Sequence, residues 1–118
     1  MYFKNQEELK ALSPIEKGIW SKDILQEYLI MSCHRDFKDF VDAFLDHHRK
    51  DTALADLLFE FLLNDDYDGS DSQMGAARYL AKMDREVLRS RKGLLLQAQE
   101  NEVFWKRPFR DETYLEWL

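Results

Sequence analysis

Five basic side chains recur at helical spacing between residues 73 and 92. On a helix with 100° per residue they fall within an arc of about 80°, and they are Arg78, Lys82, Arg85, Arg89 and Lys92. Residues 72–92 hold six bases and two acids, although the whole chain carries a net charge of −6. Such a basic stripe can bind an acidic protein partner or a phosphate backbone. The alternative is a solvated helix face whose charge is balanced by acids elsewhere in the fold.

A second group alternates aromatic and basic residues towards the end of the chain. Residues 104–110 read Phe-Trp-Lys-Arg-Pro-Phe-Arg, and further rings follow within two helical turns. Aromatic and arginine side chains concentrate binding energy at protein interfaces, and they also stack on unpaired bases. The candidates for partner binding in this segment are Trp105, Arg107, Phe109, Tyr114 and Trp117. The alternative is that these rings seal one end of the hydrophobic core.

One polar loop, residues 64–72, offers clustered oxygen ligands. It resembles the start of an EF-hand calcium loop through Asn64, Asp66, Asp68 and Gly69. Calcium prefers such oxygens, and the glycine would supply the sharp turn at the sixth place. However, the twelfth place requires a bidentate glutamate and is Gly75, and the usually apolar eighth place is Asp71. We therefore expect an acidic turn before the next helix and predict no metal site.

The thiol and imidazole groups do not have the spacing of a zinc site. Cys33 is adjacent to His34, and His47 is adjacent to His48. Neighbouring residues on a helix point about 100° apart, whereas zinc ligands usually recur two to four residues apart. Because His48 falls on the apolar stripe of its helix, we expect it in the core or at its boundary.

Carboxylates also cluster on the polar face of the helix predicted over residues 37–50. Asp39, Asp42 and Asp46 share that face, with basic residues at neighbouring helical positions. We expect a solvated surface there. The chain has no glycine-flanked serine and no glycine-rich phosphate loop. We therefore predict no catalytic residues and no cofactor, and we interpret the chain as a protein other than an enzyme.

Composition predicts the elements that position these residues. The chain of 118 residues has 17 leucines but only nine Val, Ile and Thr residues together. Leucine favours helices, and a shortage of β-branched residues disfavours sheets. The fold class is therefore all-α: a single domain over residues 1–118, built as a compact bundle of about six or seven helices. Its central helix lies near 52–63, where apolar residues cover most of the circumference.

Capping residues and apolar periodicity give the approximate helix boundaries. Asn5 begins a short helix that ends near Leu12, and Ser13-Pro14 begins a brief second one. Asp36 and Asp51 are the predicted caps of the next two long helices. The longer predicted helices span 22–32, 37–50, 52–63 and 73–92, followed by a continuation over 94–105 and a last helix over 112–118.

These observations predict a protein-interaction module acting without catalysis. No apolar run approaches the roughly 18 residues of a membrane span, so no membrane partner is expected. A lone cysteine and the absence of a signal peptide favour the cytoplasm. By analogy alone, small acidic adaptors and inhibitors of phages or mobile elements act in this way. The alternative is a nucleic-acid-binding accessory protein that uses the basic stripe. A homodimer is also possible, because a second copy could cover the apolar central helix.

Overall fold

The computed structural model describes residues 5–64 and 70–118. Within these residues the chain forms seven α-helices, one small β-hairpin and two short 3₁₀ helices. The all-α fold class is therefore confirmed. The elements in chain order are α1 (Gln6–Lys10), β1 (Ile15–Glu16), β2 (Ile19–Trp20), α2 (Lys22–Met31), α3 (Arg35–Asp46), α4 (Thr52–Leu63), α5 (Ser70–Leu80), α6 (Arg85–Ser90), α7 (Lys92–Gln99), η1 (Phe104–Lys106) and η2 (Thr113–Glu116).

Helix α4 forms the centre of the hydrophobic core, as its sequence predicts. It packs most extensively against α5 and also contacts α6 and α7. Six of its side chains are almost fully buried: Leu54, Ala55, Leu58, Phe59, Phe61 and Leu62. Other parts of the same chain cover this helix, so its apolar circumference does not require a second copy.

Asp51 joins the start of α4 to the hairpin. Its Oδ1 atom accepts a hydrogen bond of 3.2 Å from the Leu54 amide and so caps the helix, as predicted. Its Oδ2 atom accepts a hydrogen bond of 2.9 Å from the Trp20 indole. The Trp20 ring also meets His48 edge to face, with 5.1 Å between the ring centroids. His48 further contacts the ring of Phe44, which confirms its expected place at the boundary of the core.

Gly75 permits a close approach between α2 and α5. A Cβ atom at this position would lie 2.8 Å from the Leu29 carbonyl oxygen and 3.1 Å from Ser32 Oγ. Real Cβ atoms do not come so close to a backbone oxygen, so the two helices can pack at this distance only where α5 carries glycine. The next two residues of α5, Ala76 and Ala77, are also small and buried.

The brief helix predicted after Ser13 is wrong, because these residues form the hairpin. Ile15 pairs with Trp20, and Glu16 pairs with Ile19. The two turn residues, Lys17 and Gly18, have φ values of 51° and 78°. Positive φ at both positions is typical of the tight turns that join antiparallel strands, and glycine adopts it without steric cost. A helix of a single turn here would form few hydrogen bonds, so the hairpin with its tight turn is the more stable structure.

The long helix predicted over 73–92 is also wrong. Helix α5 ends at Leu80, α6 begins at Arg85, and Gly93 lies inside α7 instead of ending a helix. Asp84 stabilises the interruption, because its side chain accepts a hydrogen bond from the Glu86 amide at 2.9 Å. The Asp84 amide in turn donates to the Arg49 carbonyl at 2.9 Å. The apolar side of the predicted helix, which includes Met83 and Val87, is nevertheless buried as expected.

Other boundaries differ from the prediction by several residues. Helix α3 begins after His34, so Asp36 lies in its first turn, and it ends at Asp46 instead of near residue 50. The continuation expected over 94–105 is divided into α7 and η1, and the last helix is the 3₁₀ segment η2. Asn5 caps α1 as predicted, since its side chain accepts from the Glu8 amide at 3.1 Å. The acidic loop residues Asp66, Asp68 and Gly69 lie outside the described residues.

Replacing Asp51 tests the connection between α4 and the hairpin. We expect Asp51→Ala to lower the free energy of unfolding by about 1–3 kcal/mol, because it removes both a helix cap and the acceptor of Trp20. Urea denaturation measures this change. Asp39→Ala, which removes an exposed aspartate from α3, is the control and should change stability by less than about 0.5 kcal/mol. Equal effects of the two variants would contradict the role given to Asp51.

Candidate functional site

The basic stripe does not lie on one helix in the folded chain, because its members lie on α5, α6, α7 and the turn between α5 and α6. Two of them hold the end of the chain in place. The Arg89 Nε–H donates to the Trp117 carbonyl oxygen. The Arg85 guanidinium lies over the Trp117 ring, 5.5 Å from its centroid. These contacts are favourable hydrogen-bond and cation–π interactions within the fold.

Three of the predicted aromatic residues pack together at this end of the core. The Phe109 ring stacks on Tyr114 with centroids 5.6 Å apart and meets Trp117 edge to face at 5.8 Å. Gln99 fixes the backbone of Phe109, because its side chain accepts from the Phe109 amide and donates to the Phe109 carbonyl. Tyr114 is only 9% exposed. This cluster therefore seals the core, as the alternative interpretation of these rings predicts.

Lys82 lies near a partly buried polar pair between α3 and α5. The Tyr79 hydroxyl donates to the Asp42 carboxylate. Lys38 Nζ lies 2.6 Å and Lys82 Nζ 3.9 Å from the same carboxylate. The Asp42 side chain is only 15% exposed, so the expectation that it belongs to a solvated face is wrong. Lys92 is exposed at the start of α7.

The surroundings of Asp42 and Tyr79 shift the pKa values of both side chains. Burial of the Asp42 carboxyl acts to raise its pKa, but hydrogen bonds from Lys38 and Tyr79 and the charge of Lys82 outweigh it. The pKa of Asp42 is therefore lower than that of an ordinary aspartate. Burial and the hydrogen bond to Asp42 raise the pKa of Tyr79, so its hydroxyl remains a hydrogen-bond donor at neutral pH.

The described residues form a second arrangement at a cavity of about 240 Å³. It lies between the end of α2, the exposed side of α5 and the segment 105–110. Arg78, Trp105 and Arg107 from the two predicted groups meet here. Arg110 completes the set, and it belongs to the alternating segment although it is not among the predicted binding residues. The lining residues are Cys33, Met74, Ala77, Arg78, Ala81, Trp105, Arg107, Pro108 and Arg110.

We call the part of this cavity formed by Arg78, Arg107 and Arg110 the arginine cavity. Arg78 Nη2 donates to the Ser32 carbonyl at 3.1 Å, whereas its buried Nε has no hydrogen-bond partner. Arg107 Nε donates to the Asn101 carbonyl at 2.8 Å. Over residues 5–64 and 70–118, no carboxylate lies within 4.0 Å of any of the three guanidinium groups. The cavity therefore concentrates positive charge in an acidic protein.

Large apolar side chains remain exposed around this cavity. Phe104 is 51% exposed, Trp105 42% and Met74 38%. Trp105 and Met74 line the cavity, and Phe104 precedes Trp105 on η1. We call these three residues the apolar rim. Exposed aromatic and methionine side chains beside arginine are the residue types enriched at protein interfaces.

Cys33 contributes a thiol to the cavity wall. Burial raises the pKa of this thiol, and the charge of Asp71 raises it further, whereas Arg78 acts only partly in the opposite direction. Its Sγ atom lies 3.5 Å from the Asp71 carbonyl oxygen. A catalytic cysteine requires a lowered pKa, so the surroundings of Cys33 do not activate it as a catalytic nucleophile, although the half-buried thiol remains open to slow alkylation by an added reagent.

The described residues show neither a cluster of metal ligands nor a membrane-spanning helix. Among the described residues, no three His, Cys, Asp or Glu side chains converge in a way that could hold a metal ion. In the same part of the chain, no helix has the length and apolar character needed to cross a bilayer.

The Asp42 environment predicts a specific dependence of stability on pH. A carboxyl whose pKa is lowered in the folded state stabilises the protein above its unfolded pKa of about 3.9. This contribution is lost as the pH falls through the lower folded value. We expect Asp42→Asn to reduce the free energy of unfolding by roughly 1–3 kcal/mol at pH 6, and the difference from the unmodified protein should shrink towards pH 2.5. Urea denaturation across this range measures it, and a difference that does not vary with pH would contradict the account.

Comparison of the chain with protein-family models, with curated proteins and with solved structures finds no match. Fold class alone does not determine function. The function is therefore inferred from the chemistry of the arginine cavity and the apolar rim.

Proposed function

We propose that the protein is a non-catalytic interaction module that binds a protein partner through the arginine cavity and the apolar rim. The observation that supports this proposal most is their juxtaposition. Two exposed apolar side chains, Met74 and Trp105, line the cavity beside three arginines that have no carboxylate partner among the described residues. The exposed Phe104 ring lies 5.9 Å from the Arg107 guanidinium. The proposed cellular role is that of a small adaptor or inhibitor in the cytoplasm.

Two energetic contributions suit this face to binding a protein partner. Covering Phe104, Trp105 and Met74 would remove apolar area from water, and this is the main favourable term in association. The neighbouring arginines provide planar donors that can pair with carboxylates in a bidentate geometry. A partner that presents an apolar anchor next to acidic side chains would complement both features.

The other predicted basic residues contribute less to this proposal. Arg85 and Arg89 contact Trp117, and Lys82 lies near Asp42. Binding along a nucleic-acid backbone benefits from a continuous basic track on a protein of positive charge. Here the stripe is divided between elements and the net charge is −6, so we propose a protein as the partner. Nucleic acid is the alternative that the experiment distinguishes.

Replacing Trp105 tests the proposed surface. The tagged full-length chain is used to capture partners from lysate of the native source at about 150 mM salt, where exposed charges more than about one Debye length apart are largely screened. We expect a stoichiometric protein partner that survives nuclease treatment. Trp105→Ala should reduce the captured amount by tenfold or more, as expected for an aromatic residue that contributes about 2 kcal/mol.

Ile19→Ala provides the matched control. Ile19 is 74% exposed, more than Trp105, but lies on the hairpin. Its replacement should leave capture unchanged. Equal capture by the unmodified protein and Trp105→Ala would contradict the proposed surface, and loss of all partners on nuclease treatment would favour nucleic acid.

A further inference from the structure

We infer that the arginine cavity is a binding site for an oxyanion carried on an apolar or aromatic group. The ligand chemistry is a carboxylate or a phosphate monoester. This inference deepens the proposed function, because such a group on the partner would enter the cavity while the rest of the partner covers the apolar rim. It concerns the isolated chain, however, and can be tested without the partner.

The arrangement of Arg78 is the first reason. Its guanidinium is held by the Ser32 carbonyl on one side and lies 5.4 Å from the centroid of the Tyr79 ring. Its Nε is buried without an acceptor. Because Arg78 is only partly exposed and has no carboxylate within 4.0 Å among the described residues, the partial withdrawal of its charge from water costs free energy. An anion in the cavity would offset this cost by supplying the opposite charge close to Arg78.

The second reason is that three arginines line the same small volume. Arg107 is fixed by its hydrogen bond to the Asn101 carbonyl, which leaves its other donors for a ligand. Arg110 is exposed and extends the positive wall towards solvent. Arginine side chains that are already positioned lose little conformational entropy when they bind a carboxylate or phosphate.

The remaining walls determine what carries the oxyanion. They are mostly apolar, formed by Met74, Ala77, Ala81, Trp105 and Pro108. The cavity of about 240 Å³ exceeds the roughly 150 Å³ that holds a benzene molecule. A ligand with one ring and one anionic group therefore matches its size and its two kinds of wall, with the ring beside Trp105.

The rate of Cys33 alkylation measures whether the arginine cavity is occupied. Cys33 lines the cavity and is the only cysteine of the chain. The purified full chain is treated at constant pH and ionic strength with iodoacetamide, whose lack of charge avoids electrostatic screening by the added anion. The titrated probes are phenyl phosphate, benzoate and, as the neutral control, benzyl alcohol.

We expect phenyl phosphate, benzoate or both to slow alkylation in a saturable manner, while benzyl alcohol has no effect at the same concentration. Protection by one anion and not the other identifies whether the ligand is a phosphate or a carboxylate. No protection by either anion would overturn the inference. Equal protection by benzyl alcohol would also overturn it, because the cavity would then bind the ring alone.

Charge-removing variants test whether the arginines bind the anion. Arg110→Gln should raise the apparent dissociation constant about tenfold through loss of charge-assisted hydrogen bonds, and its exposed position makes unfolding of the chain unexpected. Arg78→Gln should have at least the same effect. Lys50→Gln removes the same charge from an exposed site beyond the end of α3 and should leave the constant unchanged. Unchanged affinity in both arginine variants would overturn the inference.

The alkylation experiment tests the further inference, the capture experiment tests the proposed function, and the two can fail independently. Anion binding without capture of a partner through Trp105 would support the cavity and contradict the docking surface. Capture that depends on Trp105, without anion binding, would support the docking surface and contradict the anion site.

Discussion

The close packing of α2 against α5 at Gly75 is the constraint on which the rest of the structure depends. A side chain at this position would collide with the Leu29 carbonyl, so glycine allows the two backbones to approach. The same helix α5 packs against the central helix α4 on its other side. Its residues Met74 and Arg78 therefore lie near the end of α2, and the arginine cavity forms where these elements meet the segment after α7.

The basic and aromatic side chains divide into two functional groups in space. One group maintains the fold: Arg85 and Arg89 hold Trp117, and the rings of Phe109 and Tyr114 close the core beside it. The other group consists of the arginine cavity and the apolar rim. In the first group Arg89 pairs with the Glu86 carboxylate and Arg85 lies over the Trp117 ring, whereas the three cavity arginines line one cavity with no carboxylate within 4.0 Å among the described residues. The convergence of three arginines on one cavity beside exposed apolar side chains is the physical basis for assigning binding to the second group.

Helical periodicity predicted the elements with long, regular apolar patterns, above all α4 and its Asp51 cap, because burial of one continuous face dominates there. It failed where local polar chemistry competes with the helix. Lys17-Gly18 forms a turn instead, and Asp84 interrupts the long helix through bonds to Glu86 and Arg49. The same interruption dispersed the predicted basic stripe. Arg78, Trp105 and Arg107 were identified from the sequence as binding candidates, but their convergence with Arg110 depends on contacts between distant segments that periodicity does not encode.

The most direct test of the structural account is a comparison of alanine at two helical glycines. Gly75 lies against Leu29, whereas a Cβ at Gly93 in α7 would meet nothing within 4 Å. Alanine favours helices by up to about 1 kcal/mol over glycine, so Gly93→Ala should be neutral or stabilising in urea denaturation. Gly75→Ala should instead lower the free energy of unfolding by about 1–3 kcal/mol, as overpacking does. If both substitutions stabilise the protein equally, α2 and α5 do not pack as described, and the position of the arginine cavity loses its foundation.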